Sequence, residues 1–239
     1  MRVVVLQSNY LPWKGYFDLM RSADLFVVYD SVQYTKNDWR NRNLLKGPNG
    51  TTWLTIPVQT AGRPTQRIDE ASVADGRWAR KHWMTIVQSL GKRPHFSDYR
   101  TEWEQWFIEA ADLRLLHDIN LVFLRGMARQ LSVTTPIVES TDFDLGPDDT
   151  GRSATERLVG LCSAANATTY ITGPAGLEYM ELDHFRDAGI SVEVIDYSRY
   201  PPYPQLTEPF VHGVSALDLL ANVGVDASTH LNSYTSEVC

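Results

Sequence analysis

Arg2-Val3-Val4-Val5-Leu6, Gln7-Ser8-Asn9-Tyr10-Leu11-Pro12-Trp13-Lys14-Gly15, Tyr16-Phe17-Asp18-Leu19-Met20-Arg21-Ser22 and Leu25-Phe26-Val27-Val28-Tyr29 are the segments whose reading decides the fold. The first and last are continuous apolar runs rich in β-branched residues, the pattern of strands buried on both faces. Between them lie a polar, aromatic loop and a short segment with Phe17, Leu19 and Met20 apolar, which reads as a helix. Strand, loop, helix, strand is one βαβ unit, and its crossover is expected to be right-handed.

Working outward, Asn43-Leu44-Leu45 and Trp53-Leu54-Thr55-Ile56 flank the turn signal Gly47-Pro48-Asn49-Gly50, so a hairpin is expected over about 40–60. Helices are expected at roughly 76–90, 98–110 and 112–131, the last with Leu116, Ile119, Phe123 and Met127 at helical spacing. Pro136-Ile137-Val138 reads as a short strand. Ser153-Ala154-Thr155-Glu156 is a capping box opening a helix with Leu158, Leu161, Cys162 and Ala165 inside. Thr169-Tyr170-Ile171 is a strand, 177–188 a helix closed by Gly189, and Ile190 to Ile195 another strand. A proline-rich stretch from Pro201 to Pro209 reads as a stiff loop, and Ser215 and Asp218 as caps of a short last helix. About five strands alternating with helices predict one α/β domain over 1–239: a doubly wound, Rossmann-like, mostly parallel sheet with a β-hairpin insertion.

Of the 239 residues, 43% are hydrophobic and 21% charged, which argues for a packed core and against disorder. The net charge of −7 makes nucleic acid an unexpected partner. Two cysteines, Cys162 and Cys239, make no disulfide framework, and no apolar run reaches the length of a membrane span. A cytoplasmic protein without membrane association is expected. The six histidines show no metal-ligand spacing, so no metal is expected.

In open parallel sheets ligands sit beyond the C-terminal strand ends, near the reversal of strand order. If Val3 to Leu6 is the central strand, the loop from Gln7 to Tyr16 lies there. Gln7 and Asn9 offer donors and acceptors, Tyr10 and Trp13 stacking faces, and Gly15 room for close backbone approach; alternatively these aromatics only pad the core. Asp30 and Gln33 follow the second strand and share that rim, Asp30 as a base, a polar-group binder or a solvated turn residue. In Trp39-Arg40-Asn41-Arg42-Asn43, alternation along a strand would put Arg40 and Arg42 on one face, opposite Asn41. Arg42 is the preferred anion binder, because a planar guanidinium pairs with carboxylate or phosphate. His82 flanks the apolar stripe Trp83, Ile86, Val87 and Leu90, and either faces a cleft as a general base or is packed. Asn120, on an apolar helix face, ties elements together or reaches a ligand. Gly173 ends a strand where a ligand edge could enter, and Tyr203 belongs to a Tyr–Pro wall with Tyr197 and Tyr200.

The same segments resemble the WbqC-like family. The resemblance runs through Gln7-x-x-Tyr10-x-Pro12-x-x-Gly15-Tyr16-Phe17, Asp30-x-Val32-Gln33-Tyr34, Trp39-x-Asn41-Arg42-Asn43 and Lys81-His82. It continues in Thr172-Gly173, Tyr203-Pro204-Gln205-Leu206 and Ser215-Ala-Leu-Asp218-Leu-Leu, covering nearly the whole chain. Ser8 departs from a proline that is frequent in relatives. The resemblance implies work in polysaccharide or natural-product biosynthesis: transfer of a glycyl or similar acyl group to a nucleotide-linked amino sugar, forming an amide. His82 or Asp30 would then take the amine's proton, while Gln7, Asn9, Tyr10, Gly15, Tyr16, Gln33, Asn41, Arg42, Gly173 and Tyr203 would bind the substrate. No cofactor is fixed, and a nucleotide-containing, anionic small molecule is the expected partner. Separately, Trp13-Lys14-Gly15-Tyr16 is similar in placement to the H-x-G-H loop of nucleotidyltransferases and adenylate-forming ligases. An ATP-dependent ligase or nucleotidyltransferase is therefore one alternative, and a ligand-binding protein without catalysis is another.

Overall fold

The computed structural model describes residues 1–143, 145 and 151–239. Its sheet has six strands: β1 (Arg2–Leu6), β2 (Leu25–Val28), β5 (Ile137–Glu139), β6 (Thr169–Thr172), β7 (Ser191–Asp196) and β8 (Tyr234–Glu237), in the order β5-β2-β1-β6-β7-β8. All neighbours run parallel except β7 and β8. The hairpin β3 (Arg42–Gly47) and β4 (Gly50–Thr55) is separate. Its turn falls at Pro48-Asn49, and Gly50 has a φ of 102°, in the left-handed region open to glycine.

Strand alternation explains the two layers. Val4, Phe26 and Val28 belong to one core, whereas Val3, Val5, Val27 and Tyr29 belong to the other, since successive side chains leave opposite faces. The first core is packed by α1 (Lys14–Arg21), the hairpin, α2 (Arg77–Leu90), α3 (Phe96–Asp112), α4 (Leu116–Gln130) and α7 (Ala216–Val223). The second is packed by α5 (Ala154–Ala164) and α6 (Leu182–Asp187), through Leu158, Leu161, Cys162 and Phe185. Helices on both faces of a mostly parallel sheet make this a doubly wound α/β fold with a hairpin insertion. Phe17 and Phe26 both lie in the first core with no exposed surface, each contributing about 2–3 kcal/mol of burial.

From β1 the chain builds outward through β2 to β5, then crosses back to β6 and β7 on the other side. The order reverses between β1 and β6, which places a crevice at their C-terminal ends.

Three expectations are corrected. The helix expected over 177–188 is a 3-10 turn at Pro174–Glu178 followed by α6, because the Thr155 hydroxyl accepts the Glu181 N–H at 3.2 Å and breaks the ladder. Gly189 still closes α6, with a φ of 71°. Asp218 does not cap α7: the Ser215 hydroxyl does, while Asp218 turns inward and accepts from Tyr203 Oη at 2.8 Å. Strand β8 is an addition, a polar edge with no apolar pattern of its own. Among the described residues no helix is long and apolar enough to cross a membrane.

Candidate functional site

Past the end of β1, Gln7, Ser8 and Asn9 send side chains alternately to two partners, as extended backbone does. Arg40 takes the outer pair: its guanidinium donates to Gln7 Oε1 at 2.6 Å and to Asn9 Oδ1 at 2.9 Å. Ser8 turns the other way and gives both its N–H and its hydroxyl to Asp30, at 2.8 and 2.6 Å. Asp30 is 2% exposed and accepts a third hydrogen bond from His117 Nδ1 at 2.8 Å. The other nitrogen of His117 meets Glu139 Oε2 at 3.1 Å. Asn120, one turn along α4 from His117, donates to Ser8 Oγ and to the backbone carbonyl of Arg40, both at 2.9 Å. Burial pulls the His117 pKa down, but the hydrogen bond and charge of Asp30, with Glu139 and Asp118, more than offset it and leave it raised.

Above this network, at the reversal point between β1 and β6, is a hollow of about 560 Å³. Gln7, Gln33, Arg40, Arg157, Thr172, Gly173 and Tyr197 supply its polar wall, and Val5, Leu6 and Leu158 its floor. Ala154, Arg157 and Leu158 reach it together because residues three and four apart share a helix face. Arg157 Nε is buried without an acceptor. Among the described residues no aspartate or glutamate lines the hollow, and Arg40 meets the counter-charge of Asp38 at 3.6 Å. Gly176, just beyond β6, is required by packing, because a Cβ there would lie 2.2 Å from Thr172 Oγ1.

Several residues expected at the site lie elsewhere. Tyr10 has no exposed surface, and its hydroxyl meets His82 Nδ1 at 2.9 Å. His82 is 5% exposed, packed against Trp78 and Tyr10. Burial lowers its pKa to about 4, helped by the charge of Lys81 and opposed by a hydrogen bond to the Thr55 backbone. It faces no cleft. Gly15 leaves room for the Trp13 indole, which a Cβ would meet at 2.2 Å, rather than for a ligand. Tyr16 is buried and donates to the Gln7 carbonyl at 2.9 Å; Asn41 donates to the Ile56 carbonyl at 2.9 Å. Tyr203 is buried beneath Phe210 and tied to Asp218.

The expected shared face of Arg40 and Arg42 is not formed. Asp38 to Asn41 is a turn, closed by Asn41 N–H to the Asp38 carbonyl at 3.1 Å, so strand alternation begins only at Arg42. Arg42 lies over the Trp53 ring, 4.2 Å from its centroid. Arg40 is the guanidinium in the hollow. Gln7, Gln33 and Gly173 line it as expected, Asn9 holds Arg40, and Asp30 sits one layer below.

Reading the residues alone missed Arg157 and His117. The signal for Arg157 was available: it sits one turn after a capping box, on the face set by Ala154 and Leu158. Cys162, with its thiol pushed up to about 12 by burial, is a core residue. Among the described residues no cluster of three His, Cys, Asp or Glu is arranged to hold a metal ion.

The fold and hollow define a doubly wound α/β protein with a cationic crevice at the strand-order reversal. The chain belongs to the WbqC-like protein family, which matches residues 7–230. It is 38% identical over 230 residues to an uncharacterized protein of Mycobacterium tuberculosis, covering 96% of this chain and 97% of that one. No solved structure gives a significant match.

Proposed function

We propose that the hollow binds the phosphate-bearing part of a nucleotide-linked amino sugar and that the protein transfers an acyl or aminoacyl group to its amine. The carrying observation is that Arg40 and Arg157 line one hollow to which no described carboxylate contributes, in a chain of net charge −7. A local positive site in an acidic protein suits a small anion better than a polymer. Each guanidinium can grip a phosphate through paired hydrogen bonds, and Arg157 Nε still lacks an acceptor. The volume falls in the range typical of small-molecule sites, roughly 300–1,000 Å³. Gln7, Gln33 and Thr172 offer neutral donors and acceptors that orient the ligand, and Tyr197 gives a flat wall.

The chemistry is orientation of a neutral amine against an activated carbonyl. A C–N bond forms, the bond to the departing phosphate or thiolate breaks, and the amine's proton leaves with that group through water. Asp30 and His82 take no proton in this scheme. Asp30 is saturated by three donors and His82 lies in the core. The absence of His, Cys or carboxylate among the described lining residues favours a second reading, a ligand-binding protein without turnover.

Calorimetry with UDP–N-acetylglucosamine tests the anion site. Arg40→Ala and Arg157→Ala each remove charge-assisted hydrogen bonds worth about 1.5–3 kcal/mol, roughly ten- to a hundredfold in Kd. Unchanged affinity in both variants rejects the assignment. Mass spectrometry of a UDP–glucosamine mixture with an acyl thioester then separates the readings: an amide product supports transfer, and tight binding without product supports the second.

A further inference from the structure

His117 lies outside the hollow, yet every link from it to the hollow's arginine is a short hydrogen bond. Both ring nitrogens face carboxylates, Asp30 at 2.8 Å and Glu139 at 3.1 Å. A neutral imidazole has one donor, so only the doubly protonated cation satisfies both. Asp30 in turn fixes Ser8 by backbone and side chain. Ser8 stands between Gln7 and Asn9, the two residues whose amide oxygens hold the Arg40 guanidinium. Asn120 closes the circuit by donating to both Ser8 and the Arg40 carbonyl.

We infer that His117 is a positioning residue that holds Arg40 in its anion-binding pose through Asp30, Ser8 and Asn120. The inference rests on the anion-binding reading of the hollow. When His117 loses its proton, one of its two carboxylates loses a donor and the loop from Gln7 to Asn9 loses its fixed anchor. Arg40 then samples other rotamers, and the anion meets a less organised site.

The groups around His117 set the direction. Asp30 follows β2, Glu139 ends β5, and Asp118 is its neighbour on α4, three carboxylates that favour the cation. Arg125 of α4 reaches Glu139 at 3.9 Å with half its side chain exposed, and it opposes them. The raised pKa means that Arg40 is held on the acid side of the His117 titration and released as pH rises through it.

The test uses the full chain with sulfate, a tetrahedral dianion whose charge stays constant from about pH 6 to about pH 9. Sulfate affinity of the unaltered protein is expected to fall about tenfold as pH rises through the His117 titration, the loss of about one charge-assisted hydrogen bond. His117→Gln, which cannot titrate, is expected to bind about tenfold more weakly at the low end and to show no step. Glu139→Gln, at a half-exposed partner, is a gentler second variant that moves the step to lower pH. Wild-type affinity and an unmoved step in these variants overturn the inference. Nitrogen-15 spectra of the Arg40 Nε–H provide a readout that needs no ligand. If sulfate does not bind at all, the anion reading of the hollow fails, and this signal decides alone. A shift that follows His117 protonation, and is lost in His117→Gln, supports the coupling; a signal indifferent to both rejects it.

Discussion

Protonating His82 should destabilise this protein, and the cost can be worked from its surroundings. The ring is 5% exposed, wedged against Tyr10 and Trp78, and burial takes its pKa from 6.5 to about 4. Between those values the unfolded chain carries a proton on His82 and the folded chain does not. The stability this difference supplies is complete above about pH 6.5 and is lost as pH falls toward 4. A drop of about two and a half pH units corresponds to roughly 3 kcal/mol. His82→Gln removes the titration while keeping an acceptor for the Tyr10 hydroxyl. Urea unfolding of both proteins at about pH 7 and about pH 4.5 isolates the effect, because the carboxylates that also titrate in acid are common to the pair. Wild type should lose some 2–3 kcal/mol more than the variant over that interval. Parallel losses would mean that His82 titrates as it does in water, as a cleft-facing base would, and the packing account of this residue would fail.

Asp30→Ala removes the shared acceptor of two Ser8 groups and His117, leaving a buried cation short of a partner. A loss of about 3–5 kcal/mol in urea unfolding is expected. Gly176→Ala drives a Cβ into Thr172 Oγ1, so about 1–3 kcal/mol of strain should lower the melting temperature and weaken ligand binding together. Gly173→Ala is its control: the nearest atom to a Cβ there is Tyr197 Oη at 3.7 Å, an ordinary contact, and thermal unfolding should barely change.

What could be read from the sequence was whatever local periodicity and position determine. The β1–α1–β2 unit, the hairpin turn, the Ser153–Glu156 box and the placement of Gln7 at a strand tip follow from residues close together in the chain. What could not be read depends on partners far apart. The break in the helix expected over 177–188 is made by Thr155, 26 residues before Glu181. Strand β8 is polar and exists because β7 offers it an edge. His117 sits in an apolar helix and gains its meaning from Asp30, 87 residues earlier. The loop aromatic Tyr10 reads as a ligand face because burial is a tertiary property that no loop composition reveals.

The exchange of Arg42 for Arg40 shows how one local feature decides a functional assignment. Alternation places both arginines on one face only if the strand begins before Arg40. The Asp38–Asn41 turn delays it, sending Arg42 onto Trp53 and freeing Arg40 to cross to Gln7 and Asn9. The proposed anion site therefore joins segments from three places: the tip of β1, the turn before β3 and the first turns of α5. A single guanidinium at any one of them would hold an anion only weakly in water. Their convergence at the reversal of strand order, over a Ser8–Asp30–His117 anchor that holds the loop in shape, is what makes a site.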